Sequence, residues 1–89
     1  MVTIFICEKL TFENKKSLLT RIKEADCDNG LTLDFRKTKY IDSAGLGLLL
    51  YIRHMLGDRN DIKLINLGIH PKAVIDMANF HRLFDIRAY

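Results

Sequence analysis

Apolar positions along this chain of 89 residues gather into three strand-like runs, each followed by a stretch with helical spacing. Val2 to Cys7 is rich in β-branched and aromatic residues and is more continuous than alternating, which predicts a strand covered on both faces. From about Glu13 to Ala25 the spacing changes. Leu18, Leu19, Ile22 and Ala25 share one helical face, while Lys16, Lys23 and Glu24 fall largely outside it. Thr11 is the expected cap of this helix. Asp28-Asn29-Gly30 is its expected stop, because glycine accepts the left-handed backbone found after helix ends.

Leu31 to Phe35 reads as the second strand and Arg36 to Lys39 as a short polar connection. Tyr40-Ile41 then leads to Asp42-Ser43 and to an apolar run, Leu46 to Ile52, too unbroken for a half-exposed helix. Gly45, Leu49, Ile52 and Leu56 share a side suited to packing on a sheet. Leu48, Tyr51 and Met55 form a second stripe, either core beneath a neighbouring element or a surface for a partner. Gly57-Asp58-Arg59-Asn60 ends the helix.

Ile62 to Asn66 reads as the third strand, and Leu67-Gly68-Ile69 turns away from it. Pro71 opens a further helix, where its missing N–H costs nothing, with Ala73, Val74, Met77 and Ala78 as the apolar face. Phe80, Leu83, Phe84 and Ile86 close the domain, with a short strand expected at Phe84 to Ile86. Strand and helix alternate with short connections, which predicts an α/β fold with a small mixed, mostly parallel sheet joined by right-handed crossovers. A chain of this length makes one domain, residues 1–89.

Composition narrows the function classes. No apolar stretch approaches the roughly 20 residues that span a bilayer, so no direct membrane insertion is expected. Met1 to Cys7 has neither a basic leader nor a small-residue cleavage site, and a cytoplasmic location is the expectation. The net charge of +3 comes from 14 basic and 11 acidic residues. The basic ones are scattered among acids, at Lys15, Lys16, Arg21 and Lys23, at Arg36, Lys37 and Lys39, and at Arg53 and Arg59. That pattern predicts solvated faces rather than the clustered stripe of a nucleic-acid binder. Cys7 falls in a strand and is expected to be a small core residue, and Cys27, among Asp26, Asp28 and Asn29, an exposed thiol in a turn. Their separation does not suit a metal site.

Candidate chemistry concentrates in Tyr40-Ile41-Asp42-Ser43-Ala44-Gly45-Leu46-Gly47. Ser43 stands where a helix begins. Its hydroxyl is either an N-cap, worth about 1 kcal/mol, or a phosphorylation site favoured by the free amides and positive end of the helix. Gly45 and Gly47 each cost the helix about 1 kcal/mol relative to alanine, so bulk is expected to be excluded there by a close backbone, within the chain or in a partner. Catalysis is not expected. The nucleophile elbow Gly-x-Ser-x-Gly lacks its first glycine, replaced by Ile41. His54, His70 and His81 have no evident pairing with Ser43, and no phosphate loop or metal ligand set is present. No cofactor is called for.

Leu33-Asp34-Phe35, the Tyr40 to Gly47 segment with its apolar helix, Ile62 to Asn66, the Pro71 helix and Asn79-Phe80-His81-Arg82-Leu83-Phe84 together resemble a STAS domain. This is the fold of bacterial anti-sigma factor antagonists, and the resemblance covers about Ile4 to Ile86. Ile4 to Ile6 matches the family's second strand, so the fold is expected to be shortened at the N-terminus. The resemblance implies a cytoplasmic signal-transduction protein in transcription regulation. Ser43 matches the serine phosphorylated by a kinase of the anti-sigma type. The unmodified protein would bind that kinase, phosphorylation would release it, and a serine phosphatase would restore the contact. The implied partner-binding surface centres on Asp42, Ser43, Gly45, Leu46 and Gly47, extended by Leu48 and Tyr51. Thr11 stands where switchable relatives commonly carry an acid, and Ala44 where a second serine is frequent. These departures admit an alternative, a STAS subunit of a lipid-transport ABC ATPase complex in which Ser43 serves as a helix cap.

Overall fold

Apolar runs and helical stripes become most of the elements of the computed structural model, which describes residues 2–25, 27, 30–57 and 61–88. Strand β1 is Val2–Phe5 and β2 is Lys9–Leu10; a 3-10 turn at Phe12–Asn14 leads into helix α1, Lys15–Glu24. Strand β3 (Leu31–Asp34) and the two-residue β4 (Tyr40–Ile41) precede helix α2, Ser43–Leu56. Strand β5 (Ile62–Leu67), helix α3 (Ile69–Met77), a 3-10 turn at Phe80–Arg82 and strand β6 (Asp85–Ala88) complete the order.

The main sheet runs β1-β3-β5-β6, and every described pairing is parallel. Each sheet strand lies beside its predecessor, so right-handed crossovers place the intervening helices on one side. Burial follows that arrangement. Register puts Ile4, Leu33, Leu64 and Ile86 in one cross-strand row, which joins the core with Leu18 and Ile22 of α1, Leu49 and Ile52 of α2, and Ile75 of α3. The opposite face carries the rows Thr3, Thr32, Lys63, Asp85 and Phe5, Asp34, Ile65, Arg87. In β1, Ile4 is buried while Thr3 and Phe5 are exposed. The strand is therefore covered on one face and not on both: Val2 to Cys7 alternates in burial although its residue types do not.

That alternation reverses the expected environments of the two thiols. Ile6 continues the inward set, so Cys7 is exposed. Cys27 instead folds beneath the end of α1, 6% exposed, with its Sγ 3.9 Å from the Ile22 carbonyl oxygen. With a disulfide-type thiol reagent, the native protein is expected to show one fast thiol, lost in Cys7→Ser, and a second that reacts only on unfolding. Two fast thiols would contradict the burial of Cys27.

Boundaries shift for local reasons. Thr11 caps the 3-10 turn rather than α1: its N–H donates to Asn14 Oδ1 at 3.0 Å, and Asn14 is the cap of α1. Helix α1 ends at Glu24 because Ala25 is already extended, with ψ 147°. The expected stop at Asp28-Asn29 lies outside the described residues, and Gly30 leads into β3. Helix α2 ends at Gly57, whose φ of 73° suits a residue without Cβ. Of the rest of that stop, Asp58, Arg59 and Asn60 lie outside the described residues. Pro71 is the third residue of α3, still within the first turn, where amides lack helical partners. The buried face of α3 is Pro71 and Ile75 with Val74 and Ala78, spaced for one side of a helix; Ala73 and Met77 are exposed, against expectation.

One element escaped the sequence pattern. Strands β2 and β4 pair in parallel as a separate two-stranded ribbon, Lys9 with Tyr40 and Leu10 with Ile41. The ribbon is held by Lys39 N–H on the Glu8 carbonyl (2.7 Å) and by Thr38 Oγ1 donating to the Cys7 carbonyl (2.8 Å). Leu10 and Ile41 point into the core, fully and almost fully buried. This ribbon delivers the chain to Asp42.

Candidate functional site

Asp42 is the N-cap of α2. Its backbone is extended (φ −101°, ψ −177°), its Oδ1 accepts the Gly45 N–H at 2.8 Å, and its carbonyl accepts the Leu46 N–H at 3.0 Å. Its own N–H donates to the Leu10 carbonyl at 3.3 Å, continuing the ribbon ladder by one residue. Burial of Ile41 in that ribbon fixes where the strand stops, so the cap falls on Asp42. Ser43 is the first helical residue and not the cap. Its side chain has no part in ending the ribbon, and it is exposed. The amides of Ser43 and Ala44 lie in the first turn, where no carbonyl precedes them in the helix.

Gly45 is buried because the ribbon passes directly over it. A Cβ built there would lie 2.3 Å from the Leu10 carbonyl oxygen and 3.1 Å from Ile41 Cγ2. Gly47 differs: a Cβ would meet nothing within 4 Å. The close approach expected at both glycines is thus present within this chain only at Gly45.

The remaining expected contact residues divide between surface and core. Asp42 and Leu46 are partly buried, Ser43 and Gly47 exposed, and Tyr51 is 47% exposed. Leu48 is 4% exposed and belongs to the hydrophobic core, so the second stripe of α2 is core at Leu48, partly buried at Met55 and surface at Tyr51. The structure therefore brings Asp42, Ser43, Gly47 and Tyr51 to one accessible helix face, with Gly45 and Leu48 beneath it.

Two surroundings of this face were not evident in the sequence. Tyr40 stacks on His70 at the start of α3, with ring centroids 5.6 Å apart and planes 8° from parallel, flanking the entry to Asp42. Phe12, in the 3-10 turn before α1, is 73% exposed and lies across a groove from Ala44, Gly47 and Tyr51. An aromatic residue in the polar stretch Thr11-Phe12-Glu13-Asn14 was the available signal. His54 is on the exposed surface of α2, and His81 Nε2 is 2.9 Å from Asp76, whose carboxyl Lys72 and then His81 hold below the usual range. Among the described residues no group of three or more His, Cys, Asp or Glu could hold a metal ion, and no helix is long and apolar enough to cross a membrane.

Comparison with known proteins gives this geometry a context. A STAS-domain protein of Pseudomonas aeruginosa (strain UCBPP-PA14) is 36% identical over 55 residues, 61% of this chain, and the chain spans 54% of that relative's length. A crystal structure from Thermotoga maritima, described as that of a candidate anti-sigma factor antagonist, superposes with a TM-score of 0.79. It covers 98% of this chain and 80% of its own at 18% identity, a likeness of fold. The STAS-domain family model matches residues 1–88, nearly the whole chain. With its parallel sheet, its capped Ser43 helix and that match, the chain belongs to the STAS-domain family.

Proposed function

We propose that this STAS domain is a phosphorylation-controlled partner-switching protein of the anti-sigma factor antagonist type. In its unmodified form it binds a serine kinase of the anti-sigma type through the face around Ser43. Phosphorylation of Ser43 by that kinase releases it, and a serine phosphatase restores binding. The observation that carries the reading is the exposed Ser43 hydroxyl at the first position of α2, in a turn whose cap is already supplied by Asp42. Among the described residues the hydroxyl has no hydrogen-bond partner, so its modification is expected to leave the helix start intact. STAS domains are non-catalytic regulatory domains, which fits a chain that is substrate and ligand of its partners.

Charge decides the outcome of modification. A phosphoryl group adds about −1.5 to −2 at neutral pH. The positive helix end tolerates it to the extent of about 0.3–1 kcal/mol, while the neighbouring Asp42 carboxylate opposes it. The two effects are opposite in sign and the Asp42 cap bond does not involve Ser43, so the fold is expected to change little. A partner approaching the same face, by contrast, must desolvate the new dianion, which costs several kcal/mol unless it is matched. In the alternative, a subunit of a transporter complex, Ser43 would serve as the helix cap, a position that Asp42 holds.

Ser43→Asp and Ser43→Glu are expected to keep the circular dichroism spectrum and melting midpoint yet weaken the kinase complex by about tenfold or more. Ser43→Ala retains it. Equal kinase affinity across the three variants, measured by calorimetry with the partner purified by pull-down, would overturn the switch.

A further inference from the structure

Two mainly apolar open grooves meet at Phe12, beside a third, polar one lined by Lys9, Thr11, Asn14 and Asp42. The larger, about 650 Å³, runs along the outer side of α1 past Glu13, Lys15, Lys16, Leu19 and Lys23. The smaller, about 340 Å³, crosses to α2 between Lys15, Ala44, Gly47 and Tyr51. Their apolar floor includes two exposed aromatic rings, Phe12 at 73% and Tyr51 at 47% exposure. Their rim carries three lysines against the single acid Glu13.

We propose that this continuous surface seats an acidic amphipathic segment of the partner protein, with its apolar side on Phe12, Leu19 and Tyr51 and its carboxylates on Lys15, Lys16 and Lys23. The inference rests on the proposed function and names the chemistry of the partner. Three observations support it. Rim charge is complementary to carboxylates and wrong for a second copy of a chain whose own net charge is +3. Aromatic residues open to water at the centre of a groove are the usual anchors of a protein interface. Finally, Gly47 is a residue the fold does not require: alanine would favour the helix by about 1 kcal/mol, and its Cβ would enter open space. That space is the smaller groove, so bulk at residue 47 is excluded by what docks there.

The same layout links the groove to the switch. Ala44 and Gly47 line the smaller groove, with Ser43 next to Ala44 and one turn before Gly47. A phosphate on Ser43 would stand beside the incoming carboxylates and repel them. Lysines at the rim attract the segment, and the modified serine cancels that attraction.

The test uses two fluorescent synthetic helical peptides, one with a Leu/Phe stripe flanked by glutamates and the other with lysines in place of the glutamates. Binding is followed by fluorescence anisotropy and mapped by amide chemical shifts of the intact protein. The acidic peptide should bind about tenfold or more tightly than the lysine peptide, weaken with added salt, and shift residues around Phe12, Lys16 and Gly47. Phe12→Ala and Lys15→Glu/Lys16→Glu should each reduce its affinity about tenfold. Gly47→Ala should raise the unfolding midpoint while lowering the affinity, a pairing that loss of fold cannot produce. Equal binding of both peptides, shifts confined to another face, or self-association that Phe12→Ala abolishes would overturn the proposal. If Ser43→Asp binds the acidic peptide normally while Phe12→Ala does not, the groove stands and the switch falls. Loss with Ser43→Asp but none with Phe12→Ala overturns the groove.

Discussion

Gly45→Ala is expected to destabilise the domain by about 3 kcal/mol, and Gly45→Val by more. The neighbour that a new methyl group meets is a backbone carbonyl, that of Leu10 at 2.3 Å, and not the movable end of a side chain. Relief requires lifting the β2–β4 ribbon from α2. That would break the Asp42 N–H bond to Leu10 and loosen Leu10 and Ile41, both essentially buried. Against a total of about 5–15 kcal/mol for a natural domain, such a loss leaves a substantial unfolded population. Gly47→Ala two residues on is the control, expected to stabilise by up to about 1 kcal/mol. Urea unfolding of both variants checks the pair, and a Gly45→Ala midpoint equal to that of Gly47→Ala would refute the close approach.

The second large effect belongs to Asp34 at the end of β3, 1% exposed on the face of the sheet away from the helices. Its Oδ1 accepts the Arg36 backbone N–H (2.9 Å) and Asn66 Nδ2 (3.1 Å), and its Oδ2 meets Arg36 Nε (3.0 Å) and Nη2 (2.9 Å). Asn66 adopts a left-handed backbone, φ 58°, as it offers its amide; asparagine tolerates that conformation better than most residues. Arg36 also lies over the Phe5 ring, 5.5 Å from its centroid. Asp34→Asn offers one acceptor oxygen where two were used and removes the ion pair. It is expected to cost about 3 kcal/mol.

Burial pushes the Asp34 carboxyl up, but the side-chain and backbone hydrogen bonds from Arg36 and that from Asn66 outweigh it and hold the group below its ordinary value of 3.8. A depressed carboxyl stabilises fully above the unfolded value and loses that stabilisation as pH falls through the folded one. Stability of the native protein should therefore decline below about pH 4, with Asp34→Asn showing a shallower decline. An unchanged acid limb in Asp34→Asn would assign the pH dependence to other carboxylates.

The sequence made most of this fold legible where a residue's surroundings follow from its own spacing. Leu18 and Ile22 on α1, and Leu49 and Ile52 on α2, sit where helical periodicity puts them. The strands Leu31–Asp34 and Ile62–Leu67 fall within a residue of their apolar runs. What escaped depends on elements remote in the chain. Two residues, Lys9 and Leu10, carry no strand periodicity, and they become a strand only because Tyr40 and Ile41 lie beside them. Asp42 and Ser43 are equally good caps by residue type, and the ribbon decides between them. Cys7 and Cys27 exchanged their expected environments because one follows an inward isoleucine and the other passes beneath a helix end. At the site, the position of Ser43 was readable, but the Phe12 groove needed the packing of two helices to exist.

All described strand pairings are parallel, in the sheet and in the ribbon alike. Parallel neighbours cannot be joined by a tight hairpin, so no pair of strands can zip together from its own turn. Each ladder closes only after the chain between its strands has been looped back, a cost in entropy that precedes any reward. Refolding should therefore be slower than that of a helical bundle of equal length.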